Sequence, residues 1–191
     1  DRPLDFYGVT DHGTFLGQVG EAATPGTPYY DAPSSAQVND INSPENLNIS
    51  TIPRRTEAFG GFLANTVTAL RERKLDLGYV DSVSRRAWAD TVAAAQRHND
   101  PGNFTTFIAY EYTASTADMG NLHRNVIFKG NSNRIPSVPY SRANSNDPEG
   151  LWRWMDRLRE DGIESLAIPH NSNGSDGFMF VLKDSFGKPF S

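Results

Sequence analysis

The sequence predicts an α/β fold with mainly parallel strands. Short apolar runs rich in aromatic and β-branched residues alternate with longer stretches of helical spacing. Their order is strand, helices, strand pair, helix, strand. Several of the short runs also end on polar residues, as strands do where they reach a functional rim.

Each element has its own justification. Leu4 to Val9 reads as a buried strand, with Gly13 as a breaker behind it. Residues 18–54 carry Pro25, Pro28, Pro33, Pro44 and Pro53 among Asn, Ser and Ala, and read as a long loop with one short helix. Thr56 to Lys74 reads as a helix capped by Thr56, since Phe59, Phe62, Leu63, Val67 and Leu70 keep helical spacing. Ser84 to His98 reads as a second helix, with Trp88, Val92 and Ala95 on one face and Asn99-Asp100-Pro101-Gly102 as its stop. Phe104 to Tyr112 and His123 to Phe128 read as strands. Asp147 to Asp161 reads as a helix: Asp147 caps it, Pro148 holds its first position and Gly162 follows its end. Glu164 to Ile168 closes the pattern as a strand that runs into Pro169-His170-Asn171.

Bulk composition narrows the function classes. The 191 residues suffice for one domain with a real core, at 37% hydrophobic content. The net charge of -5 and the lack of a basic block leave no electrostatic footprint for nucleic acid. No apolar run approaches the roughly 18 residues that span a bilayer, so no membrane partner is expected. There is no cysteine, which rules out disulfides and zinc-thiolate sites. No serine nucleophile elbow, P-loop or dinucleotide fingerprint is present.

The chemistry concentrates in the histidines. Of four, three sit at strand boundaries in polar settings: Asp11-His12-Gly13, His123-Arg124-Asn125 and Pro169-His170-Asn171. Glu111 lies near the end of another strand, and its apolar flank Phe107-Ile108-Ala109-Tyr110 implies a buried carboxylate that needs a partner. Side chains at the carboxyl ends of parallel strands converge on one rim. His12, Glu111 and His170 hold that place; His123 begins its strand and joins them only if that strand runs back. Three imidazoles and a carboxylate suit Zn, Mn or Fe. Asp11, Asn125 or Asn171 could orient the ligand rings. Arg124 and Arg55 could hold an anion through bidentate contacts. Asn171 and Asn173 belong to a polar loop that follows His170 and could line the site. Blander readings stand beside these: each histidine as a turn or cap residue, Glu111 as an arginine's partner, the arginines as surface ion pairs. His98, in the last turn of its helix, reads as structural. The Trp152 and Trp154 pair reads as helix packing.

The blocks "VTDHG", "FIAYEYT", "NLHRNVIF", "DPEGLWRWMD" and "LAIPHNSNGSDGFMF" together resemble the bacterial family known as domain of unknown function 3604, which is similar to the PHP (polymerase and histidinol phosphatase) superfamily. The resemblance implies a partial, distorted (β/α)7 TIM-like barrel with up to three divalent transition metal ions at its carboxyl-terminal rim. By position, His12 corresponds to the histidine of the second motif, Glu111 to the bridging glutamate of the third, and His123 and His170 to the histidines of the next two. Asp11 adjoins the second motif. The superfamily's opening His-x-His motif belongs before Leu4 and its closing Asp-x-His motif beyond Ser191, so the chain reads as one PHP-like catalytic domain cut at both ends, with 18–54 as a loop-rich insertion.

The expected function is that of a metal-dependent hydrolase, a phosphoesterase first, using a rim-mounted metal site and a metal-activated water. His12, Glu111, His123 and His170 are the expected metal ligands, Asp11 and Arg124 the catalytic residues, and Asn125, Asn171 and Asn173 the substrate-binding ones. The expected partner is a small anionic ester. The alternatives are the same site acting on a sulfate ester or an amide, or a non-catalytic binding or scaffold domain if the chain is truly this short. The resemblance is compatible with a periplasmic or secreted protein; the residues leave compartment and oligomeric state open.

Overall fold

A computed structural model describes residues 4–116, 120–130 and 132–181. The expectation of cut ends falls on residues 1–3 and 182–191, outside the described residues. The main elements are β1 (Phe6–Gly8), α1 (Gln18–Ala22), α2 (Ile52–Arg71), α3 (Leu77–His98), β2 (Thr105–Tyr112), β3 (Arg124–Phe128), α4 (Pro148–Glu160) and β4 (Ser165–Pro169). They fall into two compact units: residues 1–14 with 88–191, and residues 15–87. No helix among the described residues is long and apolar enough to cross a membrane.

The first unit is built on a sheet of order β1-β2-β3-β4, which stays open among the described residues. Only β1 and β2 are parallel; β2–β3 and β3–β4 are antiparallel, which corrects the mainly parallel expectation. The reason lies in the connections. The segment between Tyr112 and Arg124 is too short for a helical crossover, so β3 must run back. After β3 the chain first returns to the opposite end, where Ser115 N–H donates to Asn146 Oδ1 and Tyr112 Oη to Ser145 O. Helix α4 then descends, and β4 starts beside the end of β3, with Lys129 N–H bonded to Glu164 O at 3.0 Å.

Strand alternation divides the sheet into two faces. Ile108, Tyr110 and Tyr112 share one face with their partners Phe128, Val126 and Arg124. Here lies the core: the Trp88 ring sits 5.8 Å from Tyr110 and 6.3 Å from Phe128. Trp154 of α4 meets Phe128 edge-on at 6.2 Å and stacks on Tyr140 at 5.4 Å, as helix packing requires. The other face carries Phe107, Ala109 and Glu111 with Ile127 and Asn125. β1 is shorter than predicted and is not buried: Phe6 is 63% and Tyr7 54% exposed. As an edge strand its apolar residues have a neighbour on one side only.

The second unit packs the expected loop-rich stretch, with its one short helix, into a core. Helix α1 and three 3₁₀ turns, Pro33–Val38, Pro44–Asn46 and Ile49–Thr51, precede α2. Tyr29, Val38 and Phe62 are fully buried, and with Ala22, Ile41, Ala69, Leu75 and Val83 they form a core. Prolines at the first positions of two of those turns suit a fixed φ and need no donor. Helix α2 starts at Ile52, ahead of the predicted Thr56, because Pro53 begins it. Thr56 is therefore inside the helix, its Oγ1 donating to Ile52 O at 3.0 Å. Helix α3 starts at Leu77, where Asp76 Oδ1 accepts from Tyr79 N–H at 2.7 Å. Helix α4 begins as predicted, with Asp147 Oδ1 accepting from Glu149 N–H at 3.1 Å.

Candidate functional site

Three backbone registers bring the strand-end histidines together. The parallel pairing of β1 with β2 lapses after Gly8 and Phe107, then resumes as a single bridge between His12 and Glu111. Two hydrogen bonds of 2.8 Å hold it, Glu111 N–H to Asp11 O and Gly13 N–H to Glu111 O. The antiparallel pairing of Arg124 with Pro169 extends one step further, where His170 N–H donates to His123 O at 2.9 Å. β3 does run back from His123, so all of these groups lie at one end of the sheet.

Gly13 is needed here for space, not for φ. A Cβ built on it would lie 2.9 Å from Tyr110 Cδ2 and 3.4 Å from Glu111 O. A side chain would push the His12 strand off β2.

Glu111 is the hub of the cluster. It is only 5% exposed. Its Oε1 lies 3.1 Å from His12 Nδ1 and 2.7 Å from His123 Nδ1, and its Oε2 lies 3.6 Å from His170 Nε2. The His12 and His123 rings meet edge-on with centroids 6.1 Å apart. Burial alone would push the Glu111 pKa up, but the His12 and His123 imidazoles beside it hold the carboxyl far below its usual range. The His12 pKa is correspondingly raised, chiefly by its contact with Glu111, against the opposing effect of burial.

One polar atom in this cluster, Asn125 Oδ1, is buried and lacks a hydrogen-bond partner among the described residues. His123 Nδ1 stands 2.7 Å from Glu111 Oε1, the shortest contact between an imidazole and this carboxylate. A buried polar oxygen without a partner is uncommon and suits a face that takes a ligand. Atoms that share one first-row metal at about 2.1 Å sit roughly 3 Å apart, the range in which His123 Nδ1 and His170 Nε2 stand from the Glu111 carboxylate oxygens. The donor set, three imidazoles and one ionised carboxylate, also suits such an ion. Among the described residues no group of three or more His, Cys, Asp or Glu side chains is arranged as a metal-binding group.

The remaining predicted residues separate. Asn125 pairs with Glu111 across β2–β3, on the same face. Asn171 adopts a left-handed conformation, φ 53°, directly after His170, and with Asn173 it stands exposed on the following turn. Asp11 lines a cavity of about 410 Å³ with Tyr7, Val9, Asp90 and His98, yet its charge still reaches His12 and helps raise its pKa. Arg124 is not brought to the cluster. It pairs with Tyr112, so it occupies the opposite face, buried under the Trp152 ring at 5.6 Å, with Nη1 donating to Leu122 O at 2.6 Å. A catalytic Arg124 is thus corrected by strand parity: next to a site histidine in sequence, it lies across the sheet in space.

Sequence reading missed two contributors. Asn121 Oδ1 accepts from His123 N–H at 2.8 Å and fixes the entry to β3. Thr113 Oγ1 lies 2.6 Å from His12 Nδ1 and donates to Glu111 Oε1 at 3.2 Å. The Asx turn in Asn121-Leu122-His123 could have revealed the first; nothing local marks the second.

Residues 1–191 match the family model described as "Protein of unknown function (DUF3604)". The chain belongs to the DUF3604 family. No curated protein and no solved structure matches it. Within this DUF3604 protein, "VTDHG", "FIAYEYT", "NLHRNVIF" and "LAIPHNSNGSDG" supply the His12, Glu111, His123 and His170 cluster, so the most distinctive blocks of the sequence are also those that meet in space.

Proposed function

We propose that this DUF3604 protein is a metal-dependent hydrolase and that its first substrate class is a phosphoester. The observation that carries the reading is the gathering of His12, His123 and His170 around the buried Glu111 carboxylate, within 3.1, 2.7 and 3.6 Å of its oxygens. The similarity of its sequence blocks to the PHP superfamily supports the choice of hydrolysis and of an anionic ester.

His12, Glu111, His123 and His170 would hold the ion or ions. A divalent metal bound there supplies Lewis-acid polarisation of the ester and a more acidic water. Glu111 contributes its charge without protonating near neutral pH, because the flanking imidazoles keep it ionised. Asn125 Oδ1, buried and unpaired on the same face, can accept a hydrogen bond from a substrate hydroxyl or a bound water. Asn171 and Asn173 offer amide groups from the exposed turn beside His170.

Elemental analysis of the native protein tests this directly. A first-row transition metal should co-purify or be taken up on dialysis, and Glu111→Gln and His170→Ala should reduce its content. Native protein that retains no metal after exposure to Zn, Mn and Fe would rule the reading out. A panel of phosphate, sulfate and amide substrates then fixes the reaction. Turnover of a sulfate ester or an amide alone would keep the site and replace the substrate class.

A further inference from the structure

We infer that Thr113 is a positioning residue that sets the tautomer of His12, so that His12 presents Nε2 as its metal-binding atom. The inference rests on the metal reading above for its purpose, but its structural content concerns this chain's own atoms.

The argument is a count of hydrogens. Thr113 follows β2 directly, and its Oγ1 touches two site groups: His12 Nδ1 at 2.6 Å and Glu111 Oε1 at 3.2 Å. A threonine hydroxyl has one hydrogen to donate and lone pairs to accept with. A carboxylate oxygen accepts, and the Thr113 hydroxyl donates to Glu111 Oε1. The hydroxyl hydrogen therefore goes to Glu111, and the short contact to His12 must be donated by His12. The proton of a neutral His12 then resides on Nδ1, and the lone pair on Nε2. Thr113 is also the closer of the two acceptors facing that nitrogen, since Glu111 Oε1 is 3.1 Å away. The side chain is 51% exposed, and its contacts with Thr113 and Glu111 both fall on Nδ1, which leaves the second nitrogen for an ion. The chain His12 Nδ1–H, Thr113 Oγ1–H, Glu111 Oε1 thus has the form of the outer contacts that orient metal-ligating histidines.

This differs from the sequence expectation, in which Asp11, Asn125 or Asn171 would orient the rings. Asp11 is next to His12 in sequence but presents its backbone carbonyl to Glu111 N–H.

The test uses Thr113→Val, which removes the hydroxyl at nearly constant volume, and Thr113→Ser, which restores it. Long-range ¹H–¹⁵N spectra of the His12 ring, assigned with His12→Asn, are recorded on metal-free protein as pH is raised, and the tautomer is read once the ring shifts no longer change. Wild type and Thr113→Ser should show the Nδ1–H tautomer, and Thr113→Val a shift toward Nε2–H. Calorimetric titration with Zn²⁺ alone should show a loss of about 10–100-fold in affinity for Thr113→Val and recovery for Thr113→Ser. A wild-type ring in the Nε2–H form, or an unchanged tautomer in Thr113→Val, overturns the inference. So does wild-type Zn²⁺ affinity in Thr113→Val. Wild-type protein that binds no Zn²⁺ but shows the Nδ1–H tautomer, lost in Thr113→Val, supports the hydrogen-bond assignment while the metal reading fails.

Discussion

Gly13 and Glu111 show how narrow the tolerances of this site are. Gly13 N–H bonds Glu111 O at 2.8 Å, and the Tyr110 ring occupies the space a Cβ would take. Gly13→Ala should destabilise the protein by about 1–3 kcal/mol through overpacking against a ring with no room to move. Urea unfolding measures this, and an unchanged midpoint would mean that β1 simply slides along β2. At Glu111 the effect concerns the site more than the fold. Glu111→Gln keeps the volume and removes the charge that His12 and His123 face. The His12 pKa should fall, since contact with Glu111 is the leading cause of its rise. Proton NMR titration of the His12 ring checks the direction.

Helix α4 shows what a single cap does for an element. Asp147 Oδ1 accepts Glu149 N–H, and Pro148 occupies the position that needs no donor. Asp147→Ala should cost about 1 kcal/mol, while Asp147→Asn, which keeps an acceptor, should cost much less. Thermal unfolding of the two variants separates capping from charge. Equal losses would show that the charge at the helix start matters more than the hydrogen bond. The strands teach a different lesson. β2 carries the core residues Tyr110 and Tyr112 on one face and Glu111 on the other, so one run of sequence builds both core and site. Arg124 falls on the core face by the same parity.

Across the molecule, buried tyrosines dominate the alkaline response. Burial pushes the Tyr29 hydroxyl up to about 12, and pushes Tyr110 and Tyr112 well above the ordinary value. Tyr79 is also raised, chiefly by burial and then by its hydrogen bond to Glu21. These lie in both units, so each unit carries its own reporter. A group whose folded pKa is raised keeps its proton when the unfolded chain has lost it. The stability it contributes is full below about pH 10 and is lost as pH rises toward the folded value. Native protein near pH 11 should therefore show less tyrosinate absorbance than the seven tyrosines give in urea. A full native amplitude at that pH would mean that these rings are not buried as described.

Much of this was written in local sequence. The helix cap at Asp147, the three histidines at strand boundaries and the buried carboxylate at Glu111 were each legible, because capping and strand-end chemistry depend on a few adjacent residues. Residues 18–54 read as loop-rich with one short helix, and α1 and the turns agree, but the packing of that stretch is not legible locally. Their prolines do interrupt long elements, but Tyr29, Val38 and Phe62 meet only once the chain has folded back. Strand direction escaped as well, since β3 reverses because of the length of its connection and not its composition. Sequence alone set which residues could do chemistry. Tertiary structure decided which of them meet, because strand parity sends Arg124 to the core and Glu111 to the cluster, and because Thr113 reaches His12, 101 residues away, only through the bridge between β1 and β2.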